Sequence, residues 1–280
     1  MANNYSEHSI AGQLARAQLA TDSPDLDAQL LLADLLGVSR TYLATWPERL
    51  LEADQLRNYA ERLRRRSAGE PVAYIIGTQG FWTLQLACAP STLIPRPETE
   101  LLVDKALLLD LPDRARVADL GCGTGAIALA LAVERPAWRV VAAERNSDAL
   151  ALAEGNRQSY ALDNVEVRQS DWFTALAGEH FDFIVSNPPY IERDDPHLSC
   201  GDVHFEPQSA LVAGPDGLDD LRHIIASAPE YLNSGGWLMV EHGYNQAEAV
   251  AALFVDAGFS EIVGHRDLNQ VPRLTLGCWR

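Results

Sequence analysis

Asn187-Pro188-Pro189-Tyr190 stands directly behind the apolar run Phe181-Asp182-Phe183-Ile184-Val185. A run of that composition predicts a buried parallel strand, and two prolines end it abruptly because neither has a backbone N–H to donate. The result is a stiff loop at a strand's carboxyl end, holding an amide side chain, a proline carbonyl and an aromatic face in fixed relation. Such a set can grip a planar NH2 group by both hydrogens and by its flat face. Asn187, Pro188 and Tyr190 are therefore the candidate catalytic residues, with Pro189 joining them in holding substrate. The chemistry that suits them is methylation of the gripped nitrogen.

A second constellation supplies a place for a cofactor. Arg116-Val117-Ala118-Asp119-Leu120, followed by Gly121-Cys122-Gly123-Thr124-Gly125-Ala126, reads as a strand, a glycine-rich turn and the start of a helix. The glycines permit a sharp turn and close approach of a ligand, and the helix amino terminus offers unpaired N–H groups. Glu144 ends the next predicted strand, residues 139 to 143, where its carboxylate can accept both hydroxyls of a ribose. Asp171-Trp172 follows the third strand at the same edge. There the aspartate can accept from an adenine amino group and the indole can lie against the base. Gly121, Gly123 and Ala126 also satisfy the dinucleotide fingerprint, so a hydride-transferring enzyme competes, although no His or Tyr-Lys arrangement for proton transfer accompanies it. Trp172 as a plain core residue competes equally with Trp172 as a ligand contact.

The elements that must position these residues are legible as alternation. Apolar strands at Val117-Ala118, Val140-Val141-Ala142, 165 to 167, 181 to 185 and 237 to 240 are separated by helical segments over 126 to 133 and 149 to 156, which predicts a parallel sheet covered on both faces. The last pair, 259 to 263 and 273 to 277, joined by a short polar turn, is expected to be antiparallel. Ahead of this lies a helical region. Ile10, Leu14 and Ala17, and again Leu26, Leu30, Ala33 and Leu36 before Gly37, recur at helical spacing. A helix over 52 to 67 ends in Arg62-Leu63-Arg64-Arg65-Arg66, cations that complement the carboxyl end of the helix dipole. Between the two regions, residues 74 to 86 are rich in β-branched and aromatic types around Gly77 and Gly80, as a hairpin would be. The expected organisation is a helical domain over 1–70, a β-hairpin connector over 71–95 and a catalytic domain over 96–280.

Composition narrows the classes. A chain of 280 residues, 47% hydrophobic, can bury a large core and suits two domains. Its net charge of −17, from 22 basic against 39 acidic residues, opposes nonspecific attraction to a polyanion and favours a basic protein partner. The start of the chain lacks a basic, apolar leader and no stretch reaches membrane-spanning length, so a cytoplasmic protein is expected. Cys88, Cys122, Cys200 and Cys278 lie far apart and read as isolated reduced thiols, and no metal is implied.

With these residues assembled, the chain resembles class I S-adenosylmethionine-dependent methyltransferases, and more closely the HemK-like family that methylates the glutamine of peptide chain release factors. The segments that carry the resemblance are 71–77 (Pro-Val-Ala-Tyr-Ile-Ile-Gly), 93–100 (Leu-Ile-Pro-Arg-Pro-Glu-Thr-Glu), 119–130, 186–191, Phe205-Glu206-Pro207 and Glu241-His242-Gly243. The resemblance implies an α/β, Rossmann-like methyltransferase sheet, mostly parallel with an antiparallel final strand, beside a small amino-terminal all-α bundle that recruits substrate. It also implies S-adenosyl-L-methionine as methyl donor. Gly121, Cys122, Gly123, Thr124 and Gly125 would contact its methionine part, Glu144 its ribose, and Asp171, Trp172 and Asn187 would border it. The substrate would be the Gly-Gly-Gln glutamine of class I release factors, linking the chain to translation termination, with no stable binding of nucleic acid or membrane. Family members often carry aspartate where this chain has Glu144. Two alternatives stand beside this one: methylation of an exocyclic amine on a DNA or RNA base, which would call for basic residues around the cleft, and a non-catalytic adaptor. Arg96 and Glu98, stiffened by flanking prolines, either line the substrate entrance or tie the connector to the sheet.

Overall fold

The computed structural model describes residues 5–199 and 201–280, so Cys200 and the first four residues lie outside it. The chain divides into two compact units, one comprising 1–78 with 199–205 and the other 79–198 with 206–280.

The first unit is helical: α1 (Ile10–Arg16), α2 (Pro24–Leu36), α3 (Arg40–Thr45), α4 (Ala53–Ser67) and α5 (Val72–Ile76). Ser9 and Ser39 cap α1 and α3 with their side chains, and Glu52 with Gln55 forms a capping box on α4. Ile10, Leu31, Leu32, Leu43, Leu51, Tyr59 and Ile75 form its core. The face that α2 buries is Ala28, Leu31, Leu32 and Ala33, whereas Leu26 is 38% exposed. Of the expected stripe Leu26, Leu30, Ala33 and Leu36, Ala33 is buried and Leu36 packs against the core while Leu26 is left exposed, because a helix with leucines on two faces lets its neighbours choose which is buried. The stretch Tyr74 to Ile76, expected in the hairpin, is helix instead. Gly77, at φ +85, ends that helix, whose Ala73, Tyr74 and Ile75 are buried. Burial decided between helix and strand for a run too short to show a period.

The arginine run of α4 is paired throughout. Arg62 reaches Asp34, Arg64 reaches Glu61, and Arg65 grips Glu70 with both arms of its guanidinium. Arg66 is buried between Asp27 and Asp202, each at 2.8 Å. These cations satisfy local carboxylates as well as facing the helix's negative end.

In the second unit, a hairpin of β1 (Thr78–Phe81) and β2 (Leu84–Ala87) precedes α6 (Glu100–Ala106). Alternation then follows: β3 (Arg116–Leu120), α7 (Ala126–Glu134), β4 (Arg139–Glu144), α8 (Ser147–Ser159), β5 (Val165–Gln169), β6 (Phe181–Ser186), α9 (Asp219–Ser227), β7 (Leu232–Glu241), α10 (Ala247–Asp256), β8 (Ser260–Arg266) and β9 (Pro272–Cys278). The seven-stranded sheet runs β5-β4-β3-β6-β7-β9-β8. Every pairing from β5 to β7 is parallel, and β9 is antiparallel to both neighbours.

Strand alternation feeds both faces. Val117, Val140, Phe183 and Val185 enter one core with α7, while Ala118, Leu120, Ile184 and Leu238 enter the other with α9 and α10. Helix α7 is apolar all round, and seven of its residues are buried. Removing Phe183, which is fully buried, would cost about 3–5 kcal/mol. The chain builds outward from β3 through β4 to β5 and then returns to lay β6 on β3's other side. This reversal opens a crevice at the carboxyl ends of β3 and β6, where open α/β sheets place their ligands.

Candidate active site

A cavity of about 300 Å³ occupies that crevice, at the lower end of the range for small-molecule sites. Its walls include Gly121, Cys122, Gly123 and Thr124 after β3, Glu144 at the end of β4, Asp171 and Trp172 after β5, and Asn187 and Pro189 after β6. Residues separated by 68 positions in sequence are brought to one hollow because four parallel strands end together. Gly125, Pro188 and Tyr190 do not line it.

The glycine turn is built from backbone. Gly121, Gly123 and Gly125 have φ of +70°, +55° and +83°, a region that costs other L-residues roughly 1–2 kcal/mol. The N–H groups of Gly121 and Cys122 both donate to the Ala143 carbonyl, at 2.9 and 3.0 Å. The Trp172 ring lies over Gly121, where a Cβ would stand 3.1 Å from the indole. Trp172 therefore packs on the turn and lines the cavity. Gly125 caps α7 and lies against Leu129, shaping the turn from behind.

Glu144 is fixed by two backbone donors, Gly123 N at 3.0 Å to one oxygen and Asn146 N at 2.8 Å to the other. Its remaining lone pairs are pre-aimed, as a diol-binding carboxylate needs. Beneath the turn, Asp119 accepts from Ala128 N at 3.0 Å and its other oxygen is buried without a partner. Burial pushes its carboxyl up to about 7. At the rim, Asp171 faces Arg145 at 3.5 Å, and Asp220, whose carboxyl burial also raises, joins the cavity wall.

The corner after β6 holds Asn187 by one end only. Its Nδ2 donates to Thr99 Oγ1 at 3.1 Å, while its Oδ1 is buried and has no partner. An unsatisfied buried carbonyl costs about 1–3 kcal/mol, and here it belongs to a residue that lines the cavity. Tyr190 turns its hydroxyl away to Glu241 Oε1 at 3.1 Å, and its carbonyl accepts from Gln246 Nε2 at 3.0 Å. Burial and the Glu241 charge push the phenol well up. Glu241 is itself 2% exposed, and burial raises it to about 7 against the hydrogen bond from Tyr190. Arg96 lines the cavity while paired with buried Glu206, which also accepts from Ile94 N at 3.0 Å. Arg96 thus joins the cavity wall to the loop that carries Glu206.

Sequence reasoning gave no role to Thr99, Asn156, Glu206, Asp220 or Glu241. Asn156 ties the glycine turn to the hairpin by donating to the Thr124 and Ala87 carbonyls at 2.9 and 3.2 Å. Thr99, Glu206 and Glu241 sit inside segments that carry the family resemblance, which was the one available signal.

The sheet order, the glycine turn with its acidic partner one strand on, and the proline-stiffened corner together define a class I methyltransferase. Comparison with known proteins agrees. Residues 9–77 match the family described as the PrmC N-terminal domain, and residues 98–205 match the methyltransferase small domain. The release factor glutamine methyltransferase of Pseudomonas aeruginosa is 57% identical over 92% of this chain and 94% of its own. That of Shewanella oneidensis is 47% identical over 95% and 94%. A methyltransferase crystal structure from Pyrococcus furiosus superposes with a TM-score of 0.55 at 16% identity, covering 78% of this chain and 98% of the other, and so shares the fold. The chain belongs to the release factor glutamine methyltransferase family.

Proposed function

We propose that the cavity binds S-adenosyl-L-methionine and that the Asn187 corner receives the glutamine side chain of the Gly-Gly-Gln motif in class I peptide chain release factors, whose amide nitrogen becomes methylated. The observation that carries this reading is Asn187 Oδ1: a buried acceptor with no protein partner, on a residue that shares a cavity with the glycine turn and Glu144. The residues present fit the cofactor. Gly121 to Thr124 offer a close backbone surface for its methionine part, Glu144 a fixed carboxylate for its ribose, and Trp172 and Asp171 an apolar wall and an acceptor for its base. When bound, this cofactor supplies an electrophilic methyl group on a sulfonium.

The protein's part is placement. A carboxamide nitrogen is a weak nucleophile because its lone pair is delocalised into the carbonyl. Asn187 Oδ1 and the Pro188 carbonyl each accept one N–H hydrogen, which holds the nitrogen and draws electron density onto it. Tyr190, anchored through its hydroxyl to Glu241, bounds the corner beside the amide. Orientation of this kind contributes on the order of 7–11 kcal/mol, far above the roughly 1 kcal/mol of one neutral hydrogen bond, so alignment dominates. The nitrogen releases one proton after alkylation. An N-protonated amide is strongly acidic, so no strong base is required.

Charge supports a protein acceptor over a nucleic acid. Beside the acids Glu144, Asp171 and Asp220, the cavity's arginines are Arg96 and Arg145, each paired with a carboxylate. Phosphates would compete for those pairs. No helix among the described residues is long and apolar enough to cross a membrane, and a release factor substrate places the enzyme in the cytoplasm. The test incubates the protein and methyl-labelled cofactor with a release factor, its Gly-Gly-Ala variant, and nucleic acid. Label is expected on the Gly-Gly-Gln protein alone, and label on nucleic acid alone would overturn the assignment.

A further inference from the structure

The last residue of the Asn187 corner is held from behind by one side chain. Gln246, the residue before α10, is 6% exposed. Its Nε2 donates to the Tyr190 carbonyl at 3.0 Å and to the Gly217 carbonyl at 3.2 Å, with the Asp216 carbonyl at 3.4 Å. At the other end Oε1 accepts from Gly243 N at 2.8 Å. Gly243 is firmly seated, because its own carbonyl meets Gln246 N and His242 Nδ1, both at 3.0 Å.

An amide donates through NH2 and accepts through its oxygen. Reversed, the Gln246 oxygen would face three carbonyls and its NH2 would face the Gly243 N–H, so the side chain has one usable orientation. In that orientation it joins three segments: the turn after β7, the turn before α9 and the corner after β6. Tyr190 is thereby gripped twice, by Glu241 at its hydroxyl and by Gln246 at its carbonyl. Gly217 limits the same carbonyl by contact. Its φ is +69°, and a Cβ there would stand 2.3 Å from the Tyr190 oxygen and 2.8 Å from Gln246 Nε2, so only a bare backbone lets these two groups meet. Between Tyr190 and Asn187 stand Pro188 and Pro189, whose fixed φ passes a displacement of one end of the corner to the other. The upstream end is pinned as well, because Ser186 Oγ donates to the Leu120 carbonyl at 2.7 Å.

We propose that Gln246 is a positioning residue for methyl transfer, and that together with Gly217 it sets where the Asn187 carboxamide and the Pro188 carbonyl stand in the crevice. Neither Gln246 nor Gly217 lines the cavity, so both act through the Tyr190 backbone. This deepens the proposed function and rests on Asn187 Oδ1 being the acceptor for the glutamine NH2.

The experiment compares Gln246→Met, Gly217→Ala, Gly235→Ala, Asn187→Ala and the double variant of Gln246→Met with Asn187→Ala. It records single-turnover methylation of a release factor with both substrates saturating, affinity for S-adenosylhomocysteine by calorimetry, and the melting transition. Gln246→Met keeps the length of the side chain and loses its hydrogen bonds, so its rate should fall about 100-fold, the scale of a misplaced reacting group, while cofactor affinity stays within about threefold. Gly217→Ala should slow transfer to a similar extent. Gly235, near the amino end of β7, has φ +83° and open space where a Cβ would stand. Its alanine variant carries comparable backbone strain away from the corner and should melt earlier at the wild-type rate. Since Gln246 acts through the corner, adding Gln246→Met to Asn187→Ala should slow transfer by less than about threefold more, whereas independent damage would multiply. Should Gln246→Met fail to fold, Gly217→Ala against Gly235→Ala decides. A wild-type rate in Gln246→Met, equal rates in the two glycine variants, or a fully multiplied loss in the double variant, while Asn187→Ala is inactive, would overturn the positioning role and leave Asn187 as the acceptor. A fully active Asn187→Ala would instead overturn the reading on which that role depends.

Discussion

Glu144→Gln isolates the cofactor half of the site. Both oxygens of this carboxylate accept backbone N–H groups, from Gly123 at 3.0 Å and Asn146 at 2.8 Å. In the variant one oxygen becomes NH2, so a donor faces a donor and one backbone N–H loses its acceptor, at a cost of about 1–3 kcal/mol. Hydrogen bonds from a ribose diol fall from charged to neutral strength, a further ~1 kcal/mol. The first cost falls on the free and the bound protein alike and lowers stability, so the loss in cofactor binding is the second, roughly fivefold in Kd. Turnover at saturating cofactor should change by less than about threefold, because the contact is the same before and during transfer. Glu144→Asp keeps the charge and should bind better than Glu144→Gln. Calorimetry with S-adenosylmethionine and S-adenosylhomocysteine measures the loss directly. A Glu144→Gln affinity equal to that of wild type would refute the assignment of this carboxylate to the ribose.

Two predictions concern stability. Burial raises the Asp119 carboxyl from 3.8 to about 7, so its folded form holds a proton that the unfolded chain releases. The stability this group confers is present in full below about pH 4 and lost as pH rises to about 7, by roughly 4 kcal/mol at most. Asp119→Asn removes that titration, and chemical denaturation should show its stability relative to wild type rising across the same window; a pH-independent difference would contradict the buried, raised carboxyl. Arg66→Ala leaves Asp27 in a buried site without its partner, so the helical unit should lose about 3–5 kcal/mol, read as an earlier melting transition. An unchanged transition would show that the Arg66 pairs add nothing.

How much of this was legible in the sequence depended on whether a signal was local. The strands of the parallel sheet were readable because runs such as 181–185 are apolar on both faces and bounded by Pro or Gly, and the antiparallel β9 followed from its short link to β8. That the glycine turn, Glu144 and Asn187 border one cavity follows from where each stands in sequence, at the carboxyl end of a strand. Helix α5 is not legible because five apolar residues carry no usable period, and the buried face of α2 is legible only in part because its leucines populate two faces. The contacts of Gly125 with Leu129 and of the Tyr190 hydroxyl with Glu241 carry no local signal. The partners of the corner were illegible for one reason: Thr99, 88 positions before Asn187, and Glu241, 51 after Tyr190, meet these residues only when the sheet is assembled.

Methyl transfer by this mechanism depends on the free carbonyl of Asn187, and the rate of transfer in Asn187→Ala with cofactor and release factor both saturating tests that dependence most directly. Loss of the acceptor should reduce single-turnover transfer by at least about 100-fold while cofactor affinity stays within about threefold. Transfer at close to the wild-type rate would contradict the mechanism.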